Sequence, residues 1–160
     1  MKNIAAILLA LSILLCCWGC RQEPEQSYGF CYLQGQRASD SQPASTVLAV
    51  EYRETASDNP GISYLLRLYL EGPVTEGLES PFPAGTALLS ARRYADAITI
   101  HLSEQFSALK DIHLTLAAAC LSETCFRLCN TEEITIISGE ETYTYLRSSF
   151  TLTDASAQEP

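Results

Sequence analysis

The chain has 160 residues, 47 % of them hydrophobic and 18 % charged, with 19 acidic against 10 basic side chains and a formal net charge of −9. That balance argues against nucleic acid as a partner and against electrostatic adhesion to anionic lipid. The length suits one domain with a modest core.

The first element in chain order is an apolar run. Lys2 precedes Ile4–Leu15, and Gly19 stands directly before Cys20. The run falls short of the about 20 residues that a spanning helix needs, and it fits the roughly 7–15 of a signal h-region. A small residue and then a cysteine closing such a run resembles the lipobox of bacterial lipoproteins. The resemblance implies cleavage between Gly19 and Cys20 and a diacylglycerol thioether on Cys20. Residues 1–19 are then a signal peptide, and the protein sits on the outer face of the cell membrane, anchored by lipid. Loss of Lys2 leaves the mature chain at −10. With no second apolar run approaching a span, the lipid on Cys20 has to supply the attachment. Residues 20–43 read as a flexible tether, since Arg21–Gln26 is polar with Pro24 and Gln34–Ser45 is rich in Ser, Gln and Ala.

The body begins with Thr46–Arg53, which alternates with Leu48, Val50 and Tyr52 on one face and predicts a strand. Ser57-Asp58-Asn59-Pro60 predicts a helix start by an Asx cap and a proline in the first turn. Ile62, Leu65, Leu66, Tyr69 and Leu70 then share a helical face, and Gly72-Pro73 ends the helix. Val74–Gly85, with Pro81 and Pro83, reads as a loop without regular structure. Ala87–Arg93 and Ala97–Leu102 predict a hairpin. A second helix runs from Ala108 to about Arg127, with Ile112, Leu116, Ala119 and Cys120 on its stripe. Ile134–Ile137 predicts a buried strand and Thr142–Leu146 another, with Tyr143 and Tyr145 on one face. Ser148–Thr153 could add an edge strand, and residues 154–160 read as a disordered tail. The order β-α-β-β-α-β-β predicts an α+β fold, a mixed sheet with two helices packed on one face.

Several segments stand in an order that carries a second resemblance. They are Leu68-Tyr69-Leu70-Glu71-Gly72-Pro73, Ser80-Pro81-Phe82-Pro83-Ala84-Gly85-Thr86 and Ile98-Thr99-Ile100-His101-Leu102-Ser103-Glu104-Gln105-Phe106. Leu114-Thr115-Leu116-Ala117 and Ile134-Thr135-Ile136-Ile137-Ser138-Gly139-Glu140 follow. This set resembles the GerMN domain, the sporulation and spore-germination module of Gram-positive bacteria, over residues 44–153. The hairpin turn here is Tyr94-Ala95-Asp96 where many members carry Asp-Gly, and one copy is present where members often have two. The resemblance implies a ring-building-like fold and an extracytoplasmic, non-catalytic module without cofactor. Its implied partners are proteins of a sporulation or cell-envelope assembly, with the oligomeric state open. The alternative reading is a lipoprotein that binds cell-wall glycan or a small ligand through the Pro-rich loop.

Motifs for chemistry are sparse. G-x-S-x-G, H-E-x-x-H, the P-loop and G-x-G-x-x-G are all missing from the chain. His113 with Cys120 or Cys125 can be written as a base and nucleophile, but no acid or oxyanion donor accompanies them. Glu132-Glu133 and Glu140-Glu141 are neighbours in sequence, which point to opposite faces on a strand. In the Pro-rich loop, Leu78 and Phe82 either meet a partner or pin the loop to the core. Beyond Cys20, four cysteines follow the signal: Cys31, Cys120, Cys125 and Cys129. Outside the membrane an even number suggests disulfides. Cys120 and Cys125 diverge by about 140° on a helix, so Cys31 with Cys129 or Cys125 is the favoured pairing. Free thiols and a four-cysteine metal site stay open beside it.

Overall fold

The computed structural model describes residues 27–35, 48–57 and 59–150. Cys20, the signal and residues 151–160 lie outside the described residues.

Alternating apolar side chains build a four-stranded sheet in the order β4 (Leu88–Tyr94), β5 (Ala97–Leu102), β6 (Glu133–Ser138), β7 (Glu141–Leu146). Ile98, Ile100 and Leu102 of β5 and Ile134 and Ile136 of β6 are all buried on one face. β5 and β6 run parallel, in register Ile98↔Ile134 and Ile100↔Ile136; the two outer pairs are antiparallel. A parallel pair needs a crossover connection, and α2 (Asp111–Cys129) supplies it.

A second sheet is three-stranded and antiparallel, in the order β2 (Leu48–Glu54), β1 (Ser27–Gln34), β3 (Leu78–Glu79). α2 packs on β1, and α1 (Ile62–Leu70) packs on β4. One apolar core joins them: Phe30 and Tyr32 from β1, Leu65, Leu66 and Tyr69 from α1, Leu121, Cys125 and Phe126 from α2, and the isoleucines of the four-stranded sheet. The chain is therefore α+β as expected, with its strands divided between two sheets.

Five expectations change. The tether expected over residues 20–43 contains β1, the middle strand of its sheet, because Tyr28, Phe30 and Tyr32 alternate and the last two are fully buried. The loop expected over Val74–Gly85 holds the short strand β3, which pairs Leu33↔Glu79. Helix α1 starts later than its Asx signal: Gly61 is the cap, with no side-chain cap bond. The stripe on α2 is displaced: Ile112 is 60 % exposed, while Ala117, Ala118, Cys120, Leu121, Thr124, Cys125, Phe126 and Cys129 are buried. That C-terminal half is covered on more than one side, so no single phase marks its face. α2 also has the length and apolarity of a membrane-spanning helix, yet half of it is buried inside the protein, as in the core helix of a globular domain. In place of the start of an edge strand at Ser148, Arg147–Phe150 forms a 3-10 turn.

Candidate interaction surface

The loop after α1 is held by a buried ion pair. Register places Glu51 and Arg53 of β2 on the face of the sheet that carries Phe30, Tyr32 and Tyr28. Their side chains, 3 % and 9 % exposed, meet as an ion pair through Arg53 Nε and Glu51 Oε1. The guanidinium also donates to Tyr32 Oη at 2.7 Å, to Leu68 O at 3.1 Å and to Gly72 O, and it lies over the Phe30 and Tyr32 rings. It therefore satisfies carbonyls that the end of α1 leaves open. The other carboxylate oxygen of Glu51 accepts the backbone N–H of Val74 at 3.0 Å and of Thr75 at 2.6 Å. Burial opposes ionisation of Glu51, but the Thr75 hydrogen bonds and Arg53 outweigh it and hold the carboxyl below its ordinary value.

This anchoring decides the fate of the Pro-rich loop. Phe82 is buried and meets Tyr69 edge-on at 5.2 Å between centroids; it also packs against Phe106. Leu78 is partly buried against the same core. Both side chains pin the loop, so Leu78 and Phe82 do not form the partner-facing patch considered from sequence.

The backbone of Cys31 is satisfied by side chains from both helices. Its N–H donates to Thr124 Oγ1 at 2.9 Å, and its carbonyl accepts from Tyr69 Oη at 2.6 Å. Cys31 and Cys120 are 1 % and 0 % exposed, and their thiols interact. The hydrogen bond from Cys120 holds the Cys31 thiol below its usual value against burial, while the same bond and then burial push Cys120 far up. Burial also raises Cys125 and Cys129. All four cysteines are free thiols in this structure. The cysteine whose thiol acts on Cys31 is Cys120, which the expected pairing left out.

The candidate catalytic groups do not converge. His113 is exposed in the first turn of α2, roughly 10 Å along the axis from buried Cys120. His101 lies on the opposite face of the four-stranded sheet from the core isoleucines. Among the described residues no group of three or more His, Cys, Asp or Glu could hold a metal ion. A hollow of about 270 Å³ is lined by Glu123, Phe126, Arg127 and Arg147. Its cations are already engaged: Arg127 pairs with Glu123 at 2.6 Å, while Arg147 donates to Phe126 O and Thr131 O and stacks on Phe126.

Among the described residues, the second face of the four-stranded sheet is open at its outer strands. Register gives it three rows: Tyr94, Ala97, Glu133 and Leu146; Arg92, Thr99, Thr135 and Thr144; Ser90, His101, Ile137 and Thr142. Tyr94 is 85 % exposed and Leu146 is 47 % exposed. Parallel strands are usually covered on both faces; among the described residues the β5–β6 pair carries a layer on one.

A family model for Germane, sporulation and spore germination, matches residues 31–137. The chain belongs to the Germane family. The match opens inside β1, so the GerMN-type domain includes part of the segment expected to be tether. Comparison with curated proteins finds no match. Similar solved structures include the tandem GerMN domains of the sporulation protein GerM from Bacillus subtilis, at 9 % identity and TM-score 0.49. That similarity covers 77 % of this chain and 43 % of the other, so the chain spans less than half the length of the tandem protein. Another is a candidate lipoprotein from Clostridium perfringens, at 20 % identity and TM-score 0.45, covering 78 % and 89 %.

Proposed function

We propose that this GerMN-type chain is a non-catalytic, lipid-anchored module on the outer face of the cell membrane. It acts by protein–protein contact in a sporulation, germination or cell-envelope assembly. The family match over residues 31–137 carries the reading. The cysteine at the end of the signal-like run supports the anchor, and the open sheet face with Tyr94 and Leu146 suits a partner surface.

Deletion and complementation in the source bacterium test it. The deletion is expected to impair spore formation, germination or envelope integrity. The wild-type chain should restore the function and fractionate with the membrane. Cys20→Ala should leave the membrane fraction, and Tyr94→Ala with Leu146→Asp should stay anchored and folded without restoring function. A deletion strain indistinguishable from wild type in all three properties overturns the role. A Cys20→Ala chain that stays on the membrane after normal signal cleavage overturns the anchor.

A further inference from the structure

We propose that Cys31 and Cys120 form a disulfide in the mature protein, a covalent staple between the middle strand of the three-stranded sheet and the crossover helix. Two geometric observations bring Cys31 to the turn of α2 that carries Cys120. Cys31 and Cys120 are both buried to within 1 %. Cys31 N–H donates to Thr124, which lies one helical turn from Cys120 and so on nearly the same face of α2. The opposite pKa shifts of the two thiols, each caused first by the other, agree with that placement. Cys125 and Cys129 sit on one continuous helix four residues apart, where side chains run nearly parallel and suit a disulfide poorly.

The chemistry is thiol–disulfide exchange. The Cys31 thiolate attacks one sulfur of an oxidised dithiol donor, a disulfide oxidoreductase of the envelope or oxidised glutathione in a tube, and one donor sulfur leaves as thiolate. The Cys120 thiolate then displaces the second donor sulfur. The two cysteine protons and the electron pair end on the two donor sulfurs, which leave as a dithiol from an oxidoreductase or as two thiols from glutathione. Burial of both sulfurs means that the bond forms while β1 docks on α2, and that the finished bond is shielded from reductants. For its oxidant the inference rests on the extracytoplasmic reading above, since disulfides persist outside the reducing cytosol.

Two preparations of the full chain separate the two ideas. One is isolated from host membranes with free thiols blocked at lysis. The other is purified in detergent, unfolded and reduced, then refolded with oxidised and reduced glutathione. Peptide mapping reads which cysteines are joined. A Cys31–Cys120 peptide in both preparations, with Cys125 and Cys129 alkylated only after unfolding, is the expected result. Reduction should then lower the Tm of the wild type by on the order of 10–20 °C, because the bond closes 89 residues of chain. Cys31→Ser and Cys120→Ser should show no response to reductant. Free Cys31 and Cys120 in the glutathione-refolded protein, or a link to Cys125 or Cys129, overturns the pair. A link after refolding but free thiols in the membrane preparation overturns the staple as a feature of the working protein, and places the fault with the compartment and not with the geometry.

Discussion

The four-stranded sheet holds its layer with isoleucines; the three-stranded sheet adds a buried carboxylate and guanidinium to Phe30 and Tyr32. In the first, Ile98, Ile100, Ile134 and Ile136 stack across neighbouring strands and ask of each position only that it be apolar and the right size. In the second, one Arg53 side chain serves Glu51, Tyr32 and the carbonyls at the end of α1 together. Apolar layers tolerate small changes because the loss scales with the atoms removed. A buried charge network fails as a unit, because removing one member strands the rest. The largest difference between the sheets should therefore appear on truncating Arg53. Arg53→Ala leaves Glu51 buried with two backbone donors and no cation, and should cost about 3–5 kcal/mol. Arg92→Ala on the open sheet face should stay within about 0.5 kcal/mol. Chemical denaturation of the two variants checks this; equal losses would dissolve the contrast.

A smaller effect tests the seam between the regions. Tyr69→Phe keeps the ring packed between Phe30 and Phe82 but removes the donor to Cys31 O. It should cost about 1–3 kcal/mol, the penalty for leaving a buried carbonyl unsatisfied. A loss no larger than that of a surface substitution would show that the carbonyl finds another partner.

The contrast also follows from what each region shows in its sequence. The four-stranded sheet was legible because its signals are local: Ile98-Thr99-Ile100-His101-Leu102 alternates within five residues, and the hairpin and Gly139 turn sit beside it. β1 has the same alternation in Tyr28, Phe30 and Tyr32, but the polar run Arg21–Gln26 before it masks the strand. Aromatic period-two spacing was the signal that could have found it. Glu51 and Arg53 look like the solvated side of a strand; Tyr32, Leu68, Gly72, Val74 and Thr75, 15 to 24 residues away, make them core. Cys31 and Cys120 could not be matched from spacing, because nothing local says which turn of α2 β1 crosses. The candidate site fared likewise. Leu78 and Phe82 were equally readable as patch or as pin, and the aromatic stack decided for pin.

The network also makes one region sensitive to acid. The carboxyl of Glu51 is held below its ordinary value, with Arg53 and the Tyr32 hydroxyl as its neighbours. A lowered folded value means that the unfolded chain binds the proton first. The stabilisation is thus complete above the ordinary carboxyl range, about 4.3, and is lost as pH falls through the lower folded value. Thermal unfolding followed from pH 7 to pH 3 should show a falling Tm in the wild type. The slope should be shallower in Glu51→Gln, which starts lower and has no such proton to take up. Parallel curves would assign the acid sensitivity to other carboxylates.

The smallest expected effect has the opposite sign and belongs to the other sheet. β4 and β5 join through the two residues Ala95 and Asp96, between the paired Tyr94 and Ala97. Ala95 adopts φ 51°, the left-handed region, where a Cβ costs roughly 1 kcal/mol and glycine costs little. The turn is nevertheless well tied, since the Asp96 carbonyl accepts from Thr131 Oγ1, from Glu132 N at 2.6 Å and from Glu133 N at 3.3 Å. Those bonds draw on the backbone of Asp96 and do not need the methyl of Ala95. Ala95→Gly should relieve the strain and lose part of the gain to the greater freedom of glycine in the unfolded chain, for a net stabilisation of about 0.5 kcal/mol. The Tm should rise by a few degrees, with the acid-dependent slope unchanged because Glu51 lies in the other sheet. A lower Tm would mean that the tied Asp96 backbone, and not the Ala95 Cβ, governs the turn.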